Sequence, residues 1–301
     1  MAVQTDTAVP RIGAGTRIGT VRLTVRNIDN AARFYEHLLG LLPEERPDGR
    51  VQFGAAGGGR PLLELRGDPS AAPLNPRHTG LYHFAMLVPN RRALAVSLVR
   101  LAQARWPLQG ASDHGTHEAL YLADPEGNGI EIAWDRDASV WPRGPDGQVA
   151  LRGGPMPLDI EDLLGELDSA PPDPVADRTV PAGTQIGHVH LQVSEVQQTE
   201  AFYHGLLGFD VILRNPPMVL FVSAGGYHHH IGLNTWHSGG FGTPPPGAVG
   251  LDSYDILFET QREVDDVVER ARAAGLTVEP LADGGSFSVE DPSANIVVLT
   301  T

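Results

Sequence analysis

Apolar and polar residues alternate through Val21, Leu23 and Val25, and again through Val189, Leu191 and Val193. A period of two marks a strand with one buried face. Behind each strand the period lengthens: Ala32, Tyr35, Leu38 and Leu39 in the first stretch, and Ala201, Phe202 and Leu206 in the second, fall on one face of a helix. Glycine closes both helices, at Gly40 and Gly208, as a helix end favours. The stretches are copies, because Gly15-Thr16-Arg17-Ile18-Gly19 returns as Gly183-Thr184-Gln185-Ile186-Gly187, and Phe34-Tyr35 returns as Phe202-Tyr203. Further strand-like runs follow each helix, at 50–53 and 62–66 in the first copy and at 219–223 and 228–234 in the second. Each copy therefore predicts a βαβββ unit.

Two more units share the pattern. One predicts a strand over 80–88, a helix over 91–104, a strand over 119–123, a turn at Asp124-Pro125-Glu126-Gly127-Asn128-Gly129 and a last strand over 130–133. The other predicts a strand over 254–258, a helix over 263–274, a strand over 286–290, a turn at Asp291-Pro292 and a last strand over 296–299. The expected fold class is α+β, with four βαβββ units forming two half-barrel domains. Residues 16–136 hold the first pair of units and 183–301 the second. Between them, 137–182 form a connector rich in proline and glycine, with one short helix capped by Asp159.

A chain of 301 residues, 41% hydrophobic, can bury a full core. Its net charge of −15, with no basic stripe, argues against nucleic acid and anionic membrane surfaces as partners. With no cysteine, disulfides, thiolate nucleophiles and sulfur-bound metals are excluded, so any metal must be held by nitrogen and oxygen. The first sixteen residues carry no apolar run suited to a signal or a membrane span, which predicts a cytoplasmic protein. The sequence is compatible with a homo-oligomer.

The run Tyr227-His228-His229-His230-Ile231-Gly232-Leu233-Asn234 places three imidazoles at what reads as the start of a strand. A solvated histidine-rich loop is the other reading. Together with Gly80-Leu81-Tyr82-His83-Phe84-Ala85, Glu118-Ala119-Leu120-Tyr121-Leu122, the Asp124 turn running into Ile130-Glu131, and Gly187-His188-Val189-His190-Leu191, it carries a resemblance over nearly the whole chain. The chain resembles the vicinal-oxygen-chelate superfamily, which includes glyoxalases, bleomycin-resistance proteins and extradiol dioxygenases. The likeness is strongest to the two-domain catechol 2,3-dioxygenase group.

In that superfamily the metal ligands come from the first and last strands of the units. The first-strand positions here are Thr20, His83, His188, and Ser253 or Tyr254. Aligning the two Asp-Pro turns sets Glu131 opposite Val298, and Glu64 lacks a first-strand histidine beside it. Units two and three together complete a set of two histidines and one carboxylate: His83, His188 and Glu131. Such a set leaves adjacent positions open on Fe(II), with Mn(II) as the alternative metal. The inner units are then expected to share the functional half-barrel, and the outer two a structural one; a swap between subunits would also satisfy the pattern.

The resemblance further implies an acid–base histidine on the last strand of unit three, with His229 the best candidate and His228 and His230 open alternatives beside the substrate. It implies a tyrosine ten residues before the carboxylate, Tyr121, and a histidine upstream of it, where His114 and His117 compete. Trp134, Phe221, Trp236 and Phe241 are candidates for pocket walls or plain core, with Trp236 taken as substrate-binding; His190 is a further inward histidine outside the ligand set. The implied activity is extradiol cleavage of a catechol-type aromatic substrate with O2. A glyoxalase-type isomerase, a hydroquinone dioxygenase and a non-catalytic binding protein are the alternatives.

Overall fold

The computed structural model describes residues 10–145, 147–151, 154–173 and 177–301. Unit one runs through β1 (Arg17–Val25), helix α1 (Ile28–Arg33), β2 (Leu42–Glu45), β3 (Val51–Gly54) and β4 (Leu63–Gly67). Unit two comprises β5 (Gly80–Leu87), α2 (Arg91–Gln103), β6 (Gly110–Asp113), β7 (His117–Ala123) and β8 (Gly129–Asp135). The connector contributes β9 (Met156–Pro157) and α3 (Ile160–Gly165), the latter capped by the Asp159 side chain on the amide of Asp162. Unit three holds β10 (Gln185–Gln192), α4 (Val196–Glu200), β11 (Asp210–Asn215), β12 (Val219–Ser223) and β13 (Ile231–Asn234). Unit four holds β14 (Gly250–Leu257), α5 (Gln261–Ala273), β15 (Val278–Pro280), β16 (Phe287–Glu290) and β17 (Ile296–Thr300).

The strands assemble into two sheets, each drawn from both halves of the chain. One has the order β15-β16-β17-β14-β1-β4-β3-β2, joining units four and one. The other has the order β11-β12-β13-β10-β5-β8-β7-β6-β9, joining units three and two. Cutting the chain at the connector would therefore split both sheets, each along a long antiparallel seam, β1 with β14 and β10 with β5. Those seam strands also pack sheet against sheet, since β1 contacts β10 and β14 contacts β5. The alternating apolar residues found in the sequence line this contact: Val21, Leu23, Val25, Val189, Leu191 and Val193 are all fully buried in one core. Alternation sends His188 and His190 to the opposite, concave face.

The repeated Phe-Tyr and Asp-Pro motifs tie each unit to its sequence neighbour. The helices after β1 and β10 end in wide π-helical turns at Phe34–Leu38 and Ala201–Leu207, burying Tyr35 and Tyr203. Tyr35 Oη donates to Asp124 Oδ2 at 2.9 Å, and Tyr203 Oη donates to Asp291 Oδ2 at 2.9 Å. The Asp-Pro turns are thus structural fasteners between the sheets. One expectation is corrected: the strand read over 228–234 begins only at Ile231, and the three histidines lie in the segment leading into it. The amide of His230 pairs with the carbonyl of Val222, and its carbonyl with the amide of Val189, so the segment is pinned without being a strand.

Candidate metal centre and cavity

Strand register builds the centre from rows across the concave face. Tyr121 on β7 lies opposite Glu131 on β8, Glu131 opposite Ala85 on β5, and Ala85 opposite His188 on β10. The next row runs from His83 on β5 to His190 on β10, then Gly232 on β13 and Phe221 on β12. Ala85, small and fully buried, separates Glu131 from His188 in the row.

Three donor atoms converge there. His83 Nε2 lies 3.0 Å from Glu131 Oε2, His188 Nε2 lies 3.1 Å from the same oxygen, and the two imidazole nitrogens are 3.4 Å apart. Donors at right angles on a cation with bonds of about 2.1 Å stand about 3 Å from one another. The spacing therefore suits three neighbouring corners of one coordination sphere. Glu131 is 1% exposed, and an isolated carboxylate at that depth is costly. Burial pushes its carboxyl upward, but the imidazoles of His188, His117 and His83 more than offset this and hold it well below the usual carboxylate range. Its other oxygen, Oε1, lies 3.2 Å from His117 Nε2 but out of hydrogen-bond alignment. A divalent cation fits this donor set in charge and spacing.

Around the three donors stands a layer of stacked rings. His117 lies against His114 on one side, at 4.3 Å and 9°, and against His228 on the other, at 4.6 Å and 18°. His114 Nε2 and Tyr121 Oη form a 2.7 Å hydrogen bond. Burial first, then the neighbouring His117, lowers His114 to about 4, so it is a neutral ring at ordinary pH. Burial and the Glu131 charge raise Tyr121 well above the phenol range. His229 stacks on Phe221 at 4.6 Å and 15°, with its ring 4.1 Å from that of His188.

The centre opens on a cavity of about 850 Å³. His83, Glu131, His114, His117, Tyr121, His190, His229, Phe221, Tyr82 and Trp236 are on its wall. Of the histidine triplet, His229 alone reaches the wall. His228 and His230, expected beside the substrate, are turned away from it. His228 Nε2 pairs with Asp135 Oδ1 at 3.0 Å, and His230 Nδ1 accepts the amide of Ala224 at 3.1 Å and lies 3.0 Å from Ser223 Oγ. Consecutive residues entering a strand cannot all face one way, and these two are held by polar partners behind it. Of the candidate wall aromatics, Trp134 and Phe241 do not line the cavity.

Two wall residues carried only a weak sequence signal. His117, which competes with His114 in the sequence, shares a face of β7 with Tyr121 by the two-residue period through Ala119, and both histidines reach the wall. His190 is buried between Tyr82 at 5.2 Å, His83 at 5.0 Å and Trp236 at 5.4 Å, and among the described residues its Nε2 has no hydrogen-bond partner. Room for that ring comes from Gly232, where an added Cβ would meet it at 3.0 Å.

The model of the Glyoxalase/Bleomycin resistance protein/Dioxygenase superfamily matches residues 17–132 and 185–299. The chain belongs to this superfamily. A catechol-2,3-dioxygenase of Bacillus subtilis (strain 168) is 41% identical over 279 residues, spanning 92% of this chain and 94% of that protein. Among solved structures, glyoxalase I from Zea mays superposes with a TM-score of 0.56 at 14% identity, over 95% of this chain and 92% of that one. A Bacillus subtilis protein superposes at 0.62 and 16% identity, over 97% and 86%. At those identities the two structures speak for the fold, which is mixed α and β with two many-stranded sheets. Among the described residues, no helix is long and apolar enough to cross a membrane.

Proposed function

We propose that the chain is an extradiol dioxygenase, opening the ring of a catechol-type substrate with O2 at a non-haem Fe(II) centre held by His83, His188 and Glu131. The supporting observation is the convergence of those three donors, at 3.0 to 3.4 Å, beside a cavity that is walled by aromatic rings and that His83 and Glu131 line. The 41% identical catechol-2,3-dioxygenase agrees with it. When bound, Fe(II) would supply Lewis acidity toward the substrate oxygens and an open position for O2. An isomerase would favour a fourth protein ligand, and among the described residues no group of close donor atoms joins a histidine of the triplet to His83, Glu131 and His188.

The protein's own groups have separable tasks. Phe221, Tyr82 and Trp236 offer flat apolar surface to an aromatic ring. Tyr121, held neutral by burial and paired with His114, would hydrogen-bond a substrate oxygen next to His83. His229 would take the hydroxyl proton as substrate binds and return it after ring opening. His190 Nε2, without a hydrogen-bond partner among the described residues, would be a polar contact for a ring substituent.

The test is anaerobic loading with Fe(II), then catechol and air, following the yellow semialdehyde and oxygen uptake with His188→Ala as control. Colour in the wild type and none in the variant is expected. No colour and no oxygen uptake over a panel of catechols, in protein carrying one metal per chain, would overturn the assignment.

A further inference from the structure

We infer that Asp135 sets the tautomer of His229 through His228, so that His229 presents an unprotonated Nε2 to the cavity. The inference rests on the reading of His229 as the group that exchanges a proton with substrate. Two contacts carry it. Asp135 Oδ1 lies 3.0 Å from His228 Nε2, and His228 Nδ1 lies 2.8 Å from His229 Nδ1.

The proton positions follow by elimination. A carboxylate only accepts, so His228 Nε2 must carry the hydrogen and donate it. A neutral imidazole has one N–H, which makes His228 Nδ1 an acceptor. His228 is fully buried, where a second proton is costly. The hydrogen in the 2.8 Å contact therefore belongs to His229 Nδ1. With that hydrogen committed, His229 Nε2 carries a lone pair, and among the described residues it makes no hydrogen bond. Phe221 on one face and His188 beside the other hold the ring from turning. A lone pair at Nε2 can receive a hydroxyl proton from substrate; an N–H there could not. Asp135 and His228 are positioning residues in this scheme, neither touching substrate.

Asp135→Asn is the informative substitution, because the amide nitrogen can donate where the carboxylate accepted. It would reverse both rings and leave His229 with an N–H at Nε2. In the serine-protease triad, the equivalent carboxylate-to-amide change behind a catalytic imidazole costs about 10⁴ in kcat. Here kcat should fall by a factor of about 10² to 10⁴, with KM and metal content near wild type and with Asp135→Glu recovering most of the loss. The direct readout is independent of turnover: ¹⁵N-histidine NMR of protein loaded with diamagnetic Zn(II), with His229 assigned by its loss in His229→Gln. The wild type should show His229 protonated on Nδ1, and Asp135→Asn should show it on Nε2.

Nε2 protonation in the wild type, or the same tautomer in both proteins, would overturn the inference. A tautomer that reverses in protein that never turns over a catechol would uphold this inference and sink the ring-cleavage reading. Turnover without reversal would do the opposite.

Discussion

Glu131 shows how much one residue can determine. It sits on an otherwise apolar strand end, at 1% exposure, with three imidazoles drawn around it. Nothing in the local propensity of Ile130-Glu131-Ile132 asks for a carboxylate; the cation it would hold does. Glu131→Gln keeps the shape and removes the charge. Metal content measured on the purified variant should drop by more than about a hundredfold in affinity, since disturbing even an outer partner of a metal ligand costs about 10–100-fold. Far-ultraviolet circular dichroism should be unchanged. His228 and His230 carry the opposite lesson: identical side chains on either side of His229 are committed to Asp135 and Ala224, and only their neighbour meets the cavity.

At the scale of elements, the register of the β5–β8 pair places the carboxylate. Gly129 opens β8 so close to β5 that an added Cβ would stand 1.9 Å from the carbonyl oxygen of Tyr82. No side-chain adjustment can relieve a clash with backbone, so Gly129→Ala must part the two strands. The expected cost is about 3 kcal/mol or more in denaturant unfolding. Metal binding should weaken as well, because Glu131 sits two residues along the displaced strand. The fasteners behave differently. Tyr35→Phe leaves Asp124 short of one donor while Asn128 still serves it, for a loss of about 1–2 kcal/mol with the metal site intact. Equilibrium unfolding beside a metal assay separates the two cases.

Across the whole molecule, the two sheets share a plan and differ at its centre. In the sheet of units one and four, Arg22 stands in the row with Glu64 and reaches Asp255 Oδ1 at 2.5 Å, while Arg50 and Gln52 hold Glu64 at 2.7 Å each. A guanidinium there meets the carboxylates as a metal would in the other sheet. Arg22→Ala should destabilise the fold by about 1–3 kcal/mol, because it removes the nearest partner of the buried Asp255 and leaves it only Arg60 at 3.5 Å and the amide of Thr20 at 3.3 Å, and should leave metal content unchanged.

The other sheet gives the metal-free protein a marked acid sensitivity. Burial, with neighbouring imidazoles, lowers His114 to about 4 and His230 to about 3, and holds His188, His190, His228 and His229 below the ordinary value. Between about pH 6.5 and those values the unfolded chain binds more protons than the folded one, so stability falls as pH falls. Each such histidine contributes up to about 1.4 kcal/mol per pH unit. Asp124, Asp135 and Asp291, raised by burial, act in the other direction, three groups against the six histidines. Denaturant midpoints in chelator should decline from pH 7 to pH 5.

Much of this was legible in the chain itself. Period-two alternation, helices ending at glycine, and four copies of one unit specify the elements, because which face of a strand is buried is a local property. The histidines at 83 and 188 and the carboxylate at 131 stand out because the repeat makes equivalent positions comparable. Tertiary structure decided what depends on contacts distant in sequence. The stacking of His117 on His228, the enclosure of His190 by Tyr82, and the turning of His228 toward Asp135 bring together residues from separate units. Alternation says which side of a strand a ring leaves from; only packing across the β10–β5 seam says which other ring it meets.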